Sequence, residues 1–212
     1  MLTALVDYES GNLHSAEKAF QRMAAEVDAG DVIVTSRPED VARADRIVLP
    51  GDGAFPACRE GLAAYDGLFE AMHDAVRDKG RPFLGICVGM QMLATIGREY
   101  RDTAGFDWIG GEVVRITPNA PDLKVPHMGW NELVIDRPHP VLAGVERGAH
   151  AYFVHSYQFR VANPADLMAH ADYGGPVTAV IAHGPVVGMQ FHPEKSQEAG
   201  LRMIANFLTW RP

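Results

Sequence analysis

Short apolar runs alternate with helical periodicity through the first half of the 212-residue chain. Runs that predict buried strands lie at residues 2–6, 32–34, 47–49 and 82–86. Apolar residues also recur every three or four positions along 13–23, and a second helical pattern along 68–79 ends at Gly80. Strands that alternate with helices predict right-handed crossovers, and therefore a mostly parallel central sheet flanked by helices.

The second half of the chain has a different pattern, with proline and glycine between strand-like runs. These runs lie at residues 112–116, 132–135, 151–159, 177–182 and 186–191. Leu201, Ile204 and Leu208 then predict a closing helix. We expect these strands to be antiparallel additions to the first sheet. Because no repeat or linker-like segment interrupts the pattern, one α/β domain is predicted over residues 1–212.

Composition excludes several classes of function. The chain is 47% hydrophobic and 22% charged, as an ordinary soluble globular protein is. Its net charge of −8, without a dense lysine or arginine run, argues against a nucleic-acid-binding surface. No apolar stretch reaches membrane-spanning length, and no signal peptide is recognisable. The two cysteines, Cys58 and Cys87, lie in unrelated contexts, so we expect no disulfide and a cytoplasmic location. Because neither metal-ligand spacing nor a phosphate-binding loop is recognisable, we expect no metal and no cofactor.

The segment Gly85-Ile86-Cys87-Val88-Gly89 places a cysteine where a predicted strand meets a helical pattern. Glycines on both sides let the chain turn sharply, as around the nucleophilic serine of some hydrolases. The start of the helix directs free N–H groups and a positive dipole at the sulfur, which stabilises a thiolate. The pattern therefore indicates a nucleophile, with an inert core cysteine as the alternative.

His192 is the strongest candidate for the base that such a cysteine needs. It follows the apolar run 186–191, and Pro193 biases it toward extended geometry. In an extended segment, Glu194 lies on the same side as His192 and can hold the imidazole in the required tautomer. A structural histidine is the alternative interpretation.

Residues 85–91 together with 192–194 resemble the class I glutamine amidotransferases. Four further segments resemble signatures of one group within that class, the glutaminase subunits of imidazole glycerol phosphate synthase: residues 7–13, 49–55, 126–131 and 152–157. The lysine and serine after the triad motif, at 195–196, fit the same group. The likeness runs nearly from end to end of the chain. It implies a flavodoxin-like α/β fold.

The resemblance implies a role for each residue of the active site. Cys87 would attack the side-chain amide of glutamine, His192 would pass a proton to the departing ammonia, and Glu194 would orient His192. The tetrahedral intermediate would be held by the backbone N–H groups of Val88 and Asp52. By resemblance, the glycine-rich loop that carries Asp52 is misaligned until a partner subunit docks.

The resemblance also implies substrate and partner contacts. The residues expected to bind glutamine are Gly53, Gln91, Ser156 and Tyr157. The partner would be a (β/α)8-barrel cyclase, bound as a heterodimer, and the docking positions are Asn12, Ser15, His127, Met128, Trp130 and Lys195. Ordinary structural roles remain open for Gln91, Ser156, Tyr157 and Trp130. Two positions depart from the family pattern: Glu9 replaces a frequent glycine, and Asp52 replaces a small apolar residue.

Other functions with the same chemistry remain open from the sequence. The glutaminases of vitamin B6 and anthranilate synthesis share the Cys-His-Glu logic, although the opening segment of the B6 enzyme is expected to differ. A γ-glutamyl hydrolase would need no docking surface. A scaffold subunit with an inactive site would have no chemical need for Cys87, His192 and Glu194 together.

Overall fold

The structure is a computed structural model, and it describes residues 1–9 and 13–212. Its strands are β1 (Leu2–Val6), β2 (Asp31–Thr35), β3 (Arg46–Gly51), β4 (Phe83–Cys87), β5 (Ile96–Gly97), β6 (Thr103–Ala104), β7 (Gly111–Arg115), β8 (His127–Glu132), β9 (Val134–Ile135), β10 (His150–His155), β11 (Tyr157–Val161), β12 (Leu167–Asp172), β13 (Pro176–His183) and β14 (Val186–Met189). The α-helices are α1 (Leu13–Glu26), α2 (Pro38–Arg43), α3 (Phe55–Ala63), α4 (Leu68–His73), α5 (Val88–Gln91) and α6 (Gln197–Thr209).

The central sheet has the strand order β2-β1-β3-β4-β14-β13-β12-β9. Its first five strands are parallel, and β13, β12 and β9 extend it in antiparallel pairing. The predicted fold class, a mostly parallel sheet with added antiparallel strands, is therefore confirmed. Buried strands β3 and β4 lie in the middle of this sheet, and their register pairs Gly51 with Cys87. The carboxyl ends of parallel strands, where α/β folds bind ligands, thus bring these two residues together.

Part of the second half forms separate small sheets rather than additions to the central one. Strands β10 and β8 pair as a two-stranded ribbon, and β11-β7-β5-β6 form a four-stranded sheet. The run predicted as one strand at 151–159 is divided at Ser156, since β10 and β11 pair with different partners. The predicted strand 32–34 corresponds to β2, which is half-buried because it lies at the edge of the sheet.

The predicted helices are present with local differences. The helical pattern at 68–79 corresponds to α4 followed by a π-helical turn, and the closing helix is α6. The helical pattern after Cys87 corresponds to a single turn, because α5 ends at Gln91. The carbonyls of residues 92–94 accept hydrogen bonds from the backbone of 106–109, so they cannot continue the helix. Among the described residues, no helix combines the length and apolar character needed to span a membrane.

Candidate active site

Cys87 lies at the tight turn that joins β4 to α5. Its φ of 54° and ψ of −113° are in a region that side-chain-bearing residues rarely adopt, at a cost of about 1–3 kcal/mol. A Cβ on Gly89 would lie 1.9 Å from the Leu49 carbonyl oxygen, and one on Gly51 would lie 2.6 Å from the Gly89 nitrogen. Glycine is therefore required at both positions, since backbone packs directly on backbone. The predicted nucleophile turn is present. Cys87 forms no disulfide, and it is 4% exposed.

His192 approaches Cys87 because β14 runs parallel to β4 in the central sheet. The Cys87 side chain lies close enough to His192 to raise the pKa of the imidazole. On the far side of the ring, His192 Nδ1 lies 2.9 Å from Glu194 Oε1. The predicted contact between His192 and Glu194 is present, and His192 itself is extended as predicted, but the segment does not stay extended as far as Glu194. Residues Pro193–Lys195 form a 3-10 turn, which brings Glu194 back toward the imidazole.

The charges of the site favour an imidazolium at His192. Burial lowers the pKa of His192, but hydrogen bonds and charge interactions with Cys87 and Glu194 outweigh burial and raise it to about 10. The imidazole is consequently protonated at neutral pH when it faces a Cys87 thiolate. Glu194 Oε2 is buried and has no hydrogen-bond partner among the described residues. The Glu194 carboxylate therefore bonds through Oε1 to His192.

The glycine-rich loop begins beside the nucleophile, at Gly51. Asp52 is exposed, and its carbonyl oxygen accepts a hydrogen bond from the Cys58 thiol at 3.5 Å. Gly53 has a φ of +109°, which disfavours any other residue there. Cys58 in α3 thus contacts the loop that is predicted to supply an oxyanion donor. No sequence signal identified this contact, because it joins a backbone carbonyl to a cysteine of ordinary helical context.

Gln91 and a residue that sequence reasoning missed, Gln190, connect Cys87 to Tyr157. Gln91 is 3% exposed and its Nε2 donates to the Tyr157 carbonyl and to Gln190 Oε1, both at 3.1 Å. Gln190 is fully buried, and its Nε2 donates to Cys87 Sγ at 3.8 Å. Both hydrogens of the Gln91 amide are engaged, so any contact with substrate is made through Gln91 Oε1. The sequence feature that could have identified Gln190 as a site residue is its position two residues before His192, at the end of an apolar run.

Ser156 and Tyr157 lie where β10 passes into β11, and both side chains are half-buried. The Ser156 carbonyl accepts a hydrogen bond from the Ile116 nitrogen at 2.9 Å. The Tyr157 carbonyl accepts from Gln91 and from the ring of His155. This junction is therefore tied to Gln91, and through it to the nucleophile.

The β8–β10 ribbon carries exposed apolar side chains and bonds to the segment of His192. Met128 is 61% and Trp130 is 47% exposed. The Trp130 ring meets the Tyr152 ring edge-on at 5.8 Å between centroids. The His192 nitrogen donates to the Tyr152 carbonyl at 3.1 Å, and the Ser196 hydroxyl joins the Tyr152 nitrogen to the His192 carbonyl. The exposed ribbon is consequently bonded directly to the segment that carries the catalytic candidates.

The residues predicted for partner docking differ in their exposure. Lys195 is exposed and Ser15 is half-buried, whereas Asn12 lies outside the described residues. His127 is 2% exposed, because its ring stacks between Phe153 and Tyr173 on the packed side of the ribbon. Its docking role stays a prediction.

Glu9, one of the two departures, has a φ of 61°, in the left-handed region that glycine favours. Its backbone nitrogen donates to Asp7 Oδ1 at 3.1 Å, which stabilises this turn. The local backbone therefore has the shape expected of glycine, at a cost of about 1–2 kcal/mol for a residue with a side chain. Among residues 1–9 and 13–212, no group of three or more histidine, cysteine or acidic side chains could hold a metal ion.

The geometry agrees with similarities to known proteins. The family model described as glutamine amidotransferase class-I matches residues 4–210. The chain is 69% identical to "Imidazole glycerol phosphate synthase subunit HisH" of Cereibacter sphaeroides, over 100% of both chains. It is 66% identical to the protein of the same name from Ruegeria pomeroyi, again over 100% of both. A structure titled "Crystal structure of glutamine amidotransferase" has a TM-score of 0.72 at 17% identity, covering 97% of this chain and 98% of the other.

Proposed function

Because the chain belongs to the class I glutamine amidotransferase family, we propose that it is the glutaminase subunit of an imidazole glycerol phosphate synthase, in histidine biosynthesis. It hydrolyses glutamine to glutamate and ammonia and delivers the ammonia to a cyclase. The observation that carries this proposal is the position of His192, which bonds to Glu194 on one side and interacts electrostatically with Cys87. Full-length similarity to relatives named for this subunit supports the choice of synthase over the glutaminases of vitamin B6 or anthranilate synthesis.

The first half-reaction forms a thioester. The Cys87 thiolate attacks the side-chain amide carbon of glutamine, and the C=O electrons move to the oxygen. The His192 imidazolium donates its proton to the amide nitrogen as the C–N bond breaks, so ammonia leaves as a neutral molecule. Glu194 keeps Nδ1 of His192 protonated and leaves Nε2 to face the reacting atoms.

The second half-reaction releases glutamate. Neutral His192 accepts a proton from water, and the resulting hydroxide attacks the thioester carbon. When the C–S bond breaks, Cys87 returns as a thiolate and His192 as an imidazolium. The cycle therefore restores the ion pair that the charges of the site favour.

The oxyanion of each tetrahedral intermediate needs preorganised N–H donors. Val88 follows the nucleophile at the first position of α5, and its backbone N–H is the first proposed donor. The second is the backbone N–H of Asp52, in the loop that begins beside Cys87. The hydrogen bond from Cys58 to the Asp52 carbonyl holds this loop in its resting arrangement. Docking of the partner would reorient it.

The amino-acid end of glutamine would be held by four residues around the nucleophile. Gln91 would accept from the substrate ammonium through Oε1, since both its amide hydrogens are engaged elsewhere. Gly53 would bind through its backbone in the loop. Ser156 and Tyr157, at the junction of β10 and β11, would complete the pocket.

The proposed partner is a (β/α)8-barrel cyclase that docks as a heterodimer on Met128, Trp130, Lys195 and Ser15. Tight docking would keep ammonia from becoming ammonium in water before it reaches the cyclase. There it would react with a phosphorylated ribulosyl-formimino nucleotide, giving imidazole glycerol phosphate and an aminoimidazole carboxamide ribotide. The chemistry of the chain requires only side chains, backbone and water, and its free cysteines are consistent with a cytoplasmic location.

The test is glutamine hydrolysis by the full chain, measured with and without the cyclase and its nucleotide substrate. Strong stimulation by the cyclase supports the proposal. Full activity of the chain alone would contradict it and indicate a γ-glutamyl hydrolase. No hydrolysis under either condition would indicate a scaffold subunit, and stimulation only by the synthase of another pathway would indicate a different amidotransferase.

A further inference from the structure

A buried series of hydrogen bonds links the β8–β10 ribbon to the sulfur of Cys87. At the ribbon, Asn131 Nδ2 lies 3.2 Å from His127 Nε2, and His127 Nδ1 lies 3.0 Å from His155 Nε2. His155 Nδ1 lies 2.8 Å from the Tyr157 carbonyl oxygen. The Tyr157 oxygen also accepts from Gln91, which donates to Gln190, which in turn donates to Cys87.

Backbone groups determine the direction of hydrogen-bond donation between Asn131 and the Tyr157 carbonyl, the part of the series called the ribbon half below. Asn131 donates to the Asp172 carbonyl at 2.8 Å and accepts from the Glu132 nitrogen at 2.8 Å, so its amide has one orientation. Its remaining hydrogen must therefore be donated to His127 Nε2. His127 then carries its proton on Nδ1 and donates to His155.

The Tyr157 end of the ribbon half requires the same direction of donation. The Tyr157 carbonyl can only accept, so His155 must carry its proton on Nδ1 and accept at Nε2. Both histidines are neutral in this arrangement. Burial, which lowers the pKa of His127 to about 4 and that of His155 to about 3, agrees with it. Both ends of the ribbon half therefore require the same proton positions on His127 and His155. With these positions, every donor faces an acceptor.

The Tyr157 carbonyl also determines the orientation of the two glutamines. Gln91 must turn its NH2 group toward that oxygen, and the second hydrogen of the same group then faces Gln190. Gln190 must therefore present Oε1 to Gln91, which leaves its Nε2 facing Cys87 Sγ. If the Gln190 amide were reversed, its NH2 group would face the NH2 group of Gln91 in a fully buried site.

We propose that Gln190 is a further catalytic residue, which donates a hydrogen bond to the Cys87 thiolate and is oriented by the Tyr157 carbonyl through Gln91. The β8–β10 ribbon, through Asn131, His127 and His155, holds that carbonyl in place. This inference rests on the proposed function, because it concerns the same nucleophile. A donor to an anionic sulfur stabilises it relative to the thiol. The ribbon that carries Trp130 thereby acts on the sulfur through paired side chains, in addition to its bonds with His192.

Alkylation of Cys87 by iodoacetamide tests this directly, followed by peptide mapping so that Cys58 does not contribute. In the wild type, the alkylation rate rises with pH as the thiolate forms. Gln190→Met keeps the length of the side chain but removes the donor, and Gln190→Glu places an oxygen against the sulfur. We expect the pH of half-maximal rate to rise by about one unit in Gln190→Met and further in Gln190→Glu. Gln158→Met, at another buried glutamine, is the matched control.

Asn131→Asp tests the ribbon half and alters only a half-buried position. An aspartate accepts where the amide donates, which forces His127 to reverse and leaves a lone pair of His155 against the Tyr157 oxygen. We expect the same midpoint to rise by a few tenths of a pH unit. Asn163→Asp is the matched control, because Asn163 caps a 3-10 turn through Oδ1 and an aspartate can do the same.

Each outcome separates the inference from the proposed function. If wild-type Cys87 is not alkylated selectively, the proposed nucleophile is wrong. If it is, and the profiles of both Gln190 variants coincide with the wild type, Gln190 does not bond to the thiolate and this inference is overturned while the proposed function stands. If Gln190→Met shifts the profile and Asn131→Asp does not, the ribbon does not orient Gln190. If Gln190→Met fails to fold, Gln190→Glu decides, and a Gln190→Glu profile that coincides with the wild type overturns the inference.

Discussion

The Tyr152 carbonyl oxygen accepts a hydrogen bond of 3.1 Å from the backbone nitrogen of His192. Tyr152 is also the residue whose ring contacts exposed Trp130. One residue of the ribbon therefore touches both a surface aromatic and the segment of the proposed base. This arrangement offers a short physical path from partner docking to the active site, through the two-stranded ribbon rather than through the protein core.

Trp130→Ala should weaken partner-dependent activation. Aromatic residues at interfaces often contribute 2 kcal/mol or more to binding, so glutamine-dependent synthesis at limiting cyclase should fall by about tenfold or more. The free energy of unfolding of the isolated chain should change by less than about 1 kcal/mol, because the side chain is half-exposed. Tyr100→Ala, which removes an aromatic residue that is 86% exposed on the loop between β5 and β6, is the control. Equal activation of both variants would show that Trp130 is outside the interface.

Glu194→Gln should reduce glutamine turnover and change its pH dependence. The carboxylate raises the pKa of His192, so its neutral replacement should lower that pKa from about 10. Glutamine kcat/KM should fall by about a hundredfold, because tautomer control is weakened, and the alkaline limb of the profile should move to lower pH. The measurement is kcat/KM from pH 6 to 10.5 in the complex. Glu198→Gln, in the first turn of α6, is the control, and a Glu194→Gln profile that coincides with it would refute the orienting role.

The buried histidine pair should make the protein sensitive to acid. In the folded chain the pKa of His127 is about 4 and that of His155 is about 3, against about 6.5 for an unfolded chain. The unfolded state thus binds more protons below pH 6.5, and stability that is present above that pH is lost as the pH falls toward 4. Urea unfolding at pH 7.5 and pH 5 should show a drop of about 2 kcal/mol or more for the wild type. His127→Gln should be less stable at pH 7.5 but less dependent on pH, while exposed His150→Gln should behave as the wild type does. A drop as large in His127→Gln as in the wild type would contradict the buried, neutral pair.

Gly89→Ala should disrupt the turn at the nucleophile. The new methyl group would lie 1.9 Å from the Leu49 carbonyl oxygen, so β3 and α5 must separate. We expect a loss of about 3 kcal/mol or more in the free energy of unfolding, measured by urea denaturation. Gly110→Ala is the matched control, because its methyl group would meet only Ala162 at an ordinary 3.7 Å. Similar stability of the two variants would contradict the close backbone packing.

Much of the fold could be predicted because its parallel half follows simple patterns. Apolar runs bounded by turn signals correspond to β1, β3, β4 and β14, and the helical stripes correspond to α1 and α6. The strands β8 and β12 were missed for a physical reason. Residues 127–132 and 167–172 contain histidine, glycine, alanine and asparagine instead of β-branched side chains, so their pairing depends on distant partners.

In the candidate site, too, some features could be predicted from the sequence and others depend on distant contacts. Cys87, His192 and Glu194 could be proposed from residue type and from their positions at predicted strand ends. The 3-10 turn that brings Glu194 to His192 could not, since it depends on the hydrogen bonds that join the Ser196 hydroxyl to β10 and to the His192 carbonyl. The contacts of Gln190 and Cys58 could not be predicted for a similar reason. Their partners lie on elements whose approach only the folded chain determines.

The most direct test of the central claim is Cys87→Ala in the complex with the cyclase, assayed with glutamine and with ammonium salts as alternative nitrogen sources. Synthesis from glutamine should be lost by at least about a thousandfold. Synthesis from ammonium should stay within about twofold of the wild type, because the cyclase receives ammonia without the glutaminase step. Undiminished use of glutamine by Cys87→Ala would contradict the assignment of Cys87 as the nucleophile.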